Sequence, residues 1–380
     1  METSFWILIF ICFYGYLGYP LLLALIAPLA GRYKNLPQHT SQGPSVSILV
    51  PAYNESDYIT VKINSLLNQN YPTELFDIWV LNDGSADNTA EIVQNYEDPR
   101  VHLLDLPRGG KATALNQGVN ASGNDIIVFS DADNEWTPDT LMRLVAPFTL
   151  EQVGAVSGRL TIREDTRHLG LGDLIYRKFE AFVRRSETQL GSAVSADGGI
   201  FAIRRELYEP IPQDVTDDFY ISTGAIVKGK DLVFQSSAVA FDDGVEKAEN
   251  QLRRRIRVTV RGMTSLWRRR VLFNPLQFGL YSLCLLSHKL IRRFVPFFAL
   301  FLLPTNYFIA DQSGFYQLFF WLQIVAYGAA LAGLADQGKN LPKVFSMAGF
   351  LLLSTYGLGV GIVQFMAGKR FTFWSPEQNR

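Results

Sequence analysis

The chain has 380 residues, 48% of them hydrophobic, with 35 basic side chains against 36 acidic ones and a formal net charge of −1. That length holds one large domain and a few membrane spans, and the balanced charge excludes bulk attraction to nucleic acid. Two distant cysteines, Cys12 and Cys284, and four histidines without close pairing exclude a disulfide framework and a zinc centre.

The first predicted element is a transmembrane helix within residues 1–31. Positions 5–30 are almost uncharged and, at about 1.5 Å per residue, long enough to cross a hydrocarbon core of about 30 Å. The stretch exceeds a signal-peptide apolar region. Arg32 and Lys34 follow it, on what the positive-inside rule makes the cytoplasmic side. A retained anchor is expected.

Residues 45–241 change character, with short β-rich runs alternating with helical stretches. Strands are expected at Val46–Val50, Phe76–Leu81, Val101–Leu104 and Ile126–Phe129, with helices near 59–67, from 89, and over 112–119. This alternation predicts an α/β fold: a mostly parallel sheet, helices on both faces, and a ligand crevice at the carboxyl ends of the strands.

The polar clusters fall at those ends. Pro51-Ala52-Tyr53-Asn54-Glu55 closes the first strand and Asn82-Asp83-Gly84-Ser85 the second. Turn chemistry explains either as readily as ligand binding does. Gly109-Gly110-Lys111 lacks the spacing of a phosphate-binding P-loop. Asp131-Ala132-Asp133 is sharper, because a buried strand runs straight into two carboxylates one residue apart. Such neighbours repel, and Mg²⁺ or Mn²⁺ relieves the repulsion while accepting substrate phosphate oxygens as further ligands. Thr216-Asp217-Asp218 is a second acidic pair, suited either to a helix start or to a general base.

Residues 242–293 are expected to form an arginine-rich helix and an interfacial one. From Gln251 to Arg270 there are eight arginines and no acid, and Arg254, Arg257, Arg261 and Arg268 share a helical face. That face predicts contact with anionic headgroups, with one or two arginines turned to a diphosphate. Asn274–Ile291 reads as an interfacial helix. Residues 294–366 hold three expected spans, near 294–310, 315–335 and 344–366. This count sends the tail, 367–380, outside, whereas Lys369, Arg370 and Arg380 favour the inside.

The motifs named so far occur in a familiar order, together with Gly110-Lys111-Ala112, Ala114-Leu115-Asn116, Gln251-Leu252-Arg253-Arg254-Arg255 and Ser287-His288-Lys289. Over roughly residues 45–290 they resemble the inverting family 2 glycosyltransferases, the group of cellulose, chitin, hyaluronan and poly-N-acetylglucosamine synthases. The resemblance implies a GT-A fold on the cytoplasmic face of the cell membrane, a nucleotide-sugar donor (usually UDP-linked) and Mg²⁺ or Mn²⁺. It also implies a glycan or lipid-linked acceptor, membrane lipids and export partners as associates, and a place in cell-surface or exopolysaccharide biosynthesis. Carried over by position, Ala52, Tyr53 and Glu55 line the nucleoside pocket, Asp83 binds the base, and Lys111 binds the donor. Asp131 contacts the donor beside the metal, Asp133 holds the metal, and Asp218 is the general base. Gln251 and Arg254 close over the diphosphate. Phe371-Thr372-Phe373-Trp374 resembles a terminal segment that closes over the site.

Two departures stand out. The usual Asp-Asp-Gly is Asn82-Asp83-Gly84, with Asp83 as the retained member. The aromatic that ends Gln-x-x-Arg-Trp in processive synthases is Arg255 here. An indole gives a sugar ring an apolar platform and an arginine does not. Three readings follow: single transfer to a membrane-associated acceptor, processive synthesis with translocation, and a non-enzymatic scaffold or transporter. The last is disfavoured by spans nearly free of ionisable groups.

Overall fold

The structure, a computed structural model, describes residues 1–40, 43–162, 171–242, 248–336 and 340–372, leaving aside the side chains of 171–175, 248–251 and Lys343. At the N-terminus α1 (Glu2–Phe13) runs through a π-helical turn into α2 (Tyr19–Ala30). There follow β1 (Val46–Ala52), α3 (Ile59–Leu67), β2 (Phe76–Asp83), α4 (Thr89–Gln94), β3 (Val101–Leu106), α5 (Lys111–Ala121) and β4 (Ile126–Ser130). The next elements are β5 (Asn134–Trp136), α6 (Thr140–Val145), β6 (Val153–Ile162), α7 (Leu171–Leu190), β7 (Ile200–Arg204), α8 (Asp217–Val227) and β8 (Asp231–Asp242). Six helices close the described chain: α9 (Ala248–Arg268), α10 (Pro275–Phe278), α11 (Leu280–Leu285), α12 (Arg292–Tyr307), α13 (Gly314–Asp336) and α14 (Lys343–Met366).

The sheet runs β3-β2-β1-β4-β7-β6-β8-β5. Its first half is parallel, as the strand–helix alternation predicts. The second half is mixed, because β7 enters antiparallel to both β4 and β6 while β6 and β8 run parallel. Every residue of β1 is buried. Ile48 and Val50 pack with Ile59, Ile63 and Leu66 of α3 on one face; Leu49 packs with Leu115 and Phe201 on the other. Successive strand residues point to opposite faces, so a strand covered on both sides is apolar throughout. The polar turns are thereby pushed to its carboxyl end.

Among the described residues three helices are long and apolar enough to cross a membrane: Glu2–Ala30, Gly314–Asp336 and Val344–Met366. The boundary expected between an interfacial helix ending at 291 and a span beginning at 294 is corrected. α11, a π-helical turn at Leu286–Ile291 and α12 form one continuous helix from Leu280, so the expected interfacial helix does not end at 291. Gly279, at φ 55°, breaks the chain before Leu280, and no proline follows until Pro296. Phe5 of α1 packs with Ile309 and Tyr316, bringing the end of α12 and the start of α13 to the start of α1.

α13 and α14 approach through glycine. A Cβ on Gly333 would lie 1.9 Å from the Phe345 carbonyl oxygen, a backbone atom that cannot swing away. Gly333→Leu is therefore expected to cost about 1–3 kcal/mol of stability, read as a lowered thermal midpoint in lipid nanodiscs; an unchanged midpoint would show the helices to be further apart. Beyond this turn α14 lies along α9, with Gly357 against Leu252 and Arg255 and Gly361 against Thr259.

The arginine face of α9 is also corrected: it meets the domain rather than headgroups. Arg257, Arg261 and Arg269 are buried. Arg261 donates twice to the Val215 carbonyl, Arg268 twice to the Asp214 carboxylate, and Arg269 pairs with Glu209 at 2.9 Å. Fixed acceptors in residues 209–215 hold these guanidinium groups where lipid headgroups were expected to. The described tail returns to the same domain, since a side chain at Gly110 would meet the Thr372 carbonyl at 3.7 Å. Phe373 and Trp374 lie outside the described residues.

Candidate active site

The site is assembled from the carboxyl ends of β1, β2 and β4 and the start of α8. At the end of β1 the backbone turns through Asn54, the one described non-glycine residue with positive φ (55°). Its side-chain oxygen accepts from the Ala86 N–H at 2.8 Å, and its own N–H donates to Ser85 at 3.0 Å. Asn is among the residues that tolerate this conformation. The tie joins the first two polar clusters. Ala52 and Glu55 are buried in the turn, and Tyr53 faces outward with the Arg108 guanidinium 3.6 Å from its ring centroid.

Asp83 is placed differently from a free base-binding carboxylate. It is 2% exposed; it accepts from the N–H groups of Gly109 at 2.7 Å and Gly110 at 2.9 Å, and from the Arg108 side chain. It thus fixes the loop that carries Lys111. Gly84 is required here on two counts: its φ is 67°, and a Cβ would press the Arg108 nitrogen at 2.8 Å.

Lys111, the first residue of α5, links the two acidic pairs. Its ammonium lies 2.7 Å from Asp131 and 2.9 Å from Asp217. Asp217 and Asp218 open α8, where free N–H groups and the helix dipole favour negative charge. The two part in character. Burial raises Asp217, but Lys111 and then Arg261 outweigh it and hold the carboxyl below its ordinary value. Burial, and then the Asp217 charge, push Asp218 up. Asp218 faces Gly198, where a Cβ would sit 3.7 Å from that of the aspartate.

Asp131-Ala132-Asp133 follows β4 directly. Asp133 is pushed up to about 6, first by burial and then by the charges of Asp131 and Asp242. The charges of Asp131 and Asp242 thus act on Asp133 from two sides, with Lys111 opposing them. Among the described residues no group of three or more acidic, His or Cys side chains is placed to hold a metal ion. Mg²⁺ and Mn²⁺ do not need one, since one or two carboxylates plus substrate phosphates suffice. The donor set fits a cation that arrives with a diphosphate. Arg254, exposed on the first turns of α9, lies within electrostatic reach of Asp242, Asp131 and Asp133. The side chain of Gln251 lies outside the described residues.

Three contributors were not singled out from sequence. Lys62 of α3 is buried beneath the Asp-x-Asp turn, where its ammonium bonds Ser130 at 2.5 Å and the Asn134 side chain at 2.7 Å and stacks on Trp136. Loss of solvent pulls it down to about 7. Its signal was available: a lysine on the apolar face formed by Ile59, Ile63 and Leu66. Arg108 carried no such mark, because its partners Tyr53 and Asp83 are distant in sequence. Asp242 sits at the end of β8, pairing with Asn134, and only the sheet brings it to Asp133. Arg255, where an aromatic was expected, turns to α14 with its guanidinium 5.1 Å from the Phe350 ring centroid.

Residues 47–211 match the family described as Glycosyl transferase family 2. A poly-beta-1,6-N-acetyl-D-glucosamine synthase from Staphylococcus epidermidis is 31% identical over 167 residues, 43% of this chain and 40% of that protein. A beta-monoglucosyldiacylglycerol synthase from Trichormus variabilis is 30% identical over 185 residues, 46% of this chain and 40% of that protein. The matched segment thus spans about two fifths of the length of these relatives. A mannosyltransferase from Pyrobaculum calidifontis, solved with GDP-Man and Mn²⁺, aligns with TM-score 0.72 at 22% identity, covering 96% of this chain and 99% of that one. The fold is GT-A, accompanied by the apolar helices.

Proposed function

We propose, from the match of residues 47–211 to the family described as Glycosyl transferase family 2, that the chain is an inverting glycosyltransferase moving a sugar from a UDP-linked donor to a membrane-associated glycan or lipid-linked acceptor. One observation carries the reading: a single ammonium, that of Lys111, bonds both Asp131 and Asp217, so the candidate metal pair and candidate base pair belong to one cleft. In that cleft Asp133 and Asp131 would hold Mg²⁺ or Mn²⁺, which would supply positive charge beside the departing nucleoside diphosphate. Lys111 and Arg254, with Gln251, bind the diphosphate. Ala52, Tyr53 and Glu55 shape the nucleoside pocket, and Asp83 steadies it through the Gly109–Gly110 loop. Asp218, the member of its pair held basic, takes the acceptor hydroxyl proton as that oxygen attacks the anomeric carbon.

Arg255 favours single transfer over processive synthesis, because that side chain packs on Phe350 of α14 rather than offering a ring to an acceptor sugar. The two relatives differ on this point by name, one a polymer synthase and the other a glycolipid synthase. The domain division we propose is an anchor over 1–31, the catalytic domain over 45–241, linking helices from 242 to Gly279, apolar helices from Leu280 to 366 and a tail over 367–380. A cytoplasmic catalytic face of the cell membrane accords with Arg32 and Lys34 after the first apolar helix.

The test is transfer from radiolabelled UDP-sugars by the full chain in lipid, with the product sized. Products one sugar long are expected. Long polymers would favour the synthase reading, and no turnover of any nucleotide sugar would sink the enzyme. Chelation by EDTA is expected to stop turnover, and Mn²⁺ or Mg²⁺ to restore it; full activity in EDTA would remove the metal from the scheme.

A further inference from the structure

A second polar cavity, of about 250 Å³, lies between the end of β6, α7 and the π-helical turn Leu286–Ile291. It has room for roughly eight waters at ~30 Å³ each. It abuts the acceptor side of the cleft, because Asp197 in its wall precedes Gly198, which faces Asp218.

Most charges around it are matched. Arg184 pairs with Asp197 at 2.5 Å and Arg177 with Asp242 at 3.2 Å. Glu180 accepts from Arg292 at 2.5 Å and lies 3.3 Å from His288. Two cations are left over. The side chains of Lys289 and of Arg159, which is exposed to solvent, line the cavity, and among the described residues no hydrogen bond or ion pair joins either side chain to the protein. Burial, and then nearby Arg293, outweigh the attraction of Glu180 and Asp218 and pull the Lys289 ammonium down to about 8.

The cavity also has a membrane side. Tyr176 lines it, is 51% exposed, and has the Arg292 guanidinium 5.6 Å from its ring centroid. The same guanidinium is 5.8 Å from the ring of Tyr16, within the first apolar helix. The cavity wall therefore lies beside the π-helical turn in the middle of that helix, with Tyr176 open to the surface.

We propose that this cavity seats the phosphoryl group of a membrane-borne acceptor, with Lys289 and Arg159 as its counter-ions. Two unmatched cations suit a group that carries two negative charges; a carboxylate would leave one of them uncompensated. The phosphoryl group sits beside the reacting centre, so a hydroxyl elsewhere on the acceptor reaches Asp218. The inference rests on the reading of Asp218 as the acceptor-side base, but its test needs no turnover.

Dodecyl phosphate, dodecyl glucoside and inorganic phosphate are titrated separately into the full chain in phosphatidylcholine nanodiscs, with binding read by calorimetry. Dodecyl phosphate is expected to bind at least about tenfold tighter than the other two, and K289Q and R159Q each to weaken it about tenfold or more. Unchanged thermal unfolding shows that each variant is folded. Equal binding of dodecyl glucoside, or variants that bind dodecyl phosphate like the parent, would overturn the phosphoryl site. Inorganic phosphate binding as tightly as dodecyl phosphate would overturn the membrane-borne source. Absence of sugar transfer with intact dodecyl phosphate binding would count against the function proposed above and leave this site standing.

Discussion

Asp218→Asn is expected to reduce sugar transfer by about 10²–10⁴-fold, the usual contribution of a positioned proton acceptor. The amide keeps the shape of the carboxylate, so α8 and its packing should survive. What it loses is the capacity to accept a proton, which burial and the Asp217 charge raise in the parent. The sign of the pH dependence follows. A base works only when deprotonated, so parent activity should fall as pH drops through a midpoint above the ordinary carboxylate value of about 4. Nucleotide affinity in the presence of Mn²⁺ should be the same in both proteins. A variant that retains parental turnover would move the base elsewhere; lost nucleotide affinity would make Asp218 a donor ligand instead.

Asp133→Asn is expected to remove Mn²⁺-dependent nucleotide binding and to lower turnover by about 10²-fold or more, since the metal supplies several kcal/mol of charge stabilisation at the leaving group. Its partner Asp131 is already held by Lys111, so Asp133 is the carboxylate of the pair left for a cation. Without metal, Asp133 is repelled by Asp131 and Asp242. The metal-free variant should therefore unfold no earlier than the parent. This opposition separates a ligand from a structural residue: structural loss lowers the thermal midpoint and ligand loss does not. Retained Mn²⁺ affinity in the variant would place the metal on other groups.

Much of this was legible before any coordinates. The first four strands come from apolar runs ending in polar turns, and covering both faces of a sheet leaves no other pattern. Asp131, Asp133, Asp217 and Asp218 were visible because each pair stands at the boundary of an element. Asp242 was not: its pairing opposite Asn134 depends on the long register of β8 against β6, which two irregularities interrupt. The continuous helix from Leu280 was misread as two because His288 and Lys289 look like an interruption in an apolar run. In the fold His288 is buried between Glu187 at 2.7 Å and Glu180 at 3.3 Å, so its polarity is satisfied inside the protein. The arginine face of α9 was misassigned for a related reason, since charge alone does not say whether lipid or a carbonyl will satisfy it. Arg261 settled on Val215.

That last contact has a mechanical side. α9 grips the strand of chain just ahead of the acidic pair at two points, Arg261 on the Val215 carbonyl and Ser265 on the Thr216 N–H. Its opposite flank is pressed against an apolar helix through Gly357 and Gly361. Apolar helices answer a thicker or thinner bilayer by tilting. Here a tilt of α14 would act as a lever on the chain leading into Asp218, the proposed proton acceptor, so bilayer thickness would become a setting of the site as well as its support.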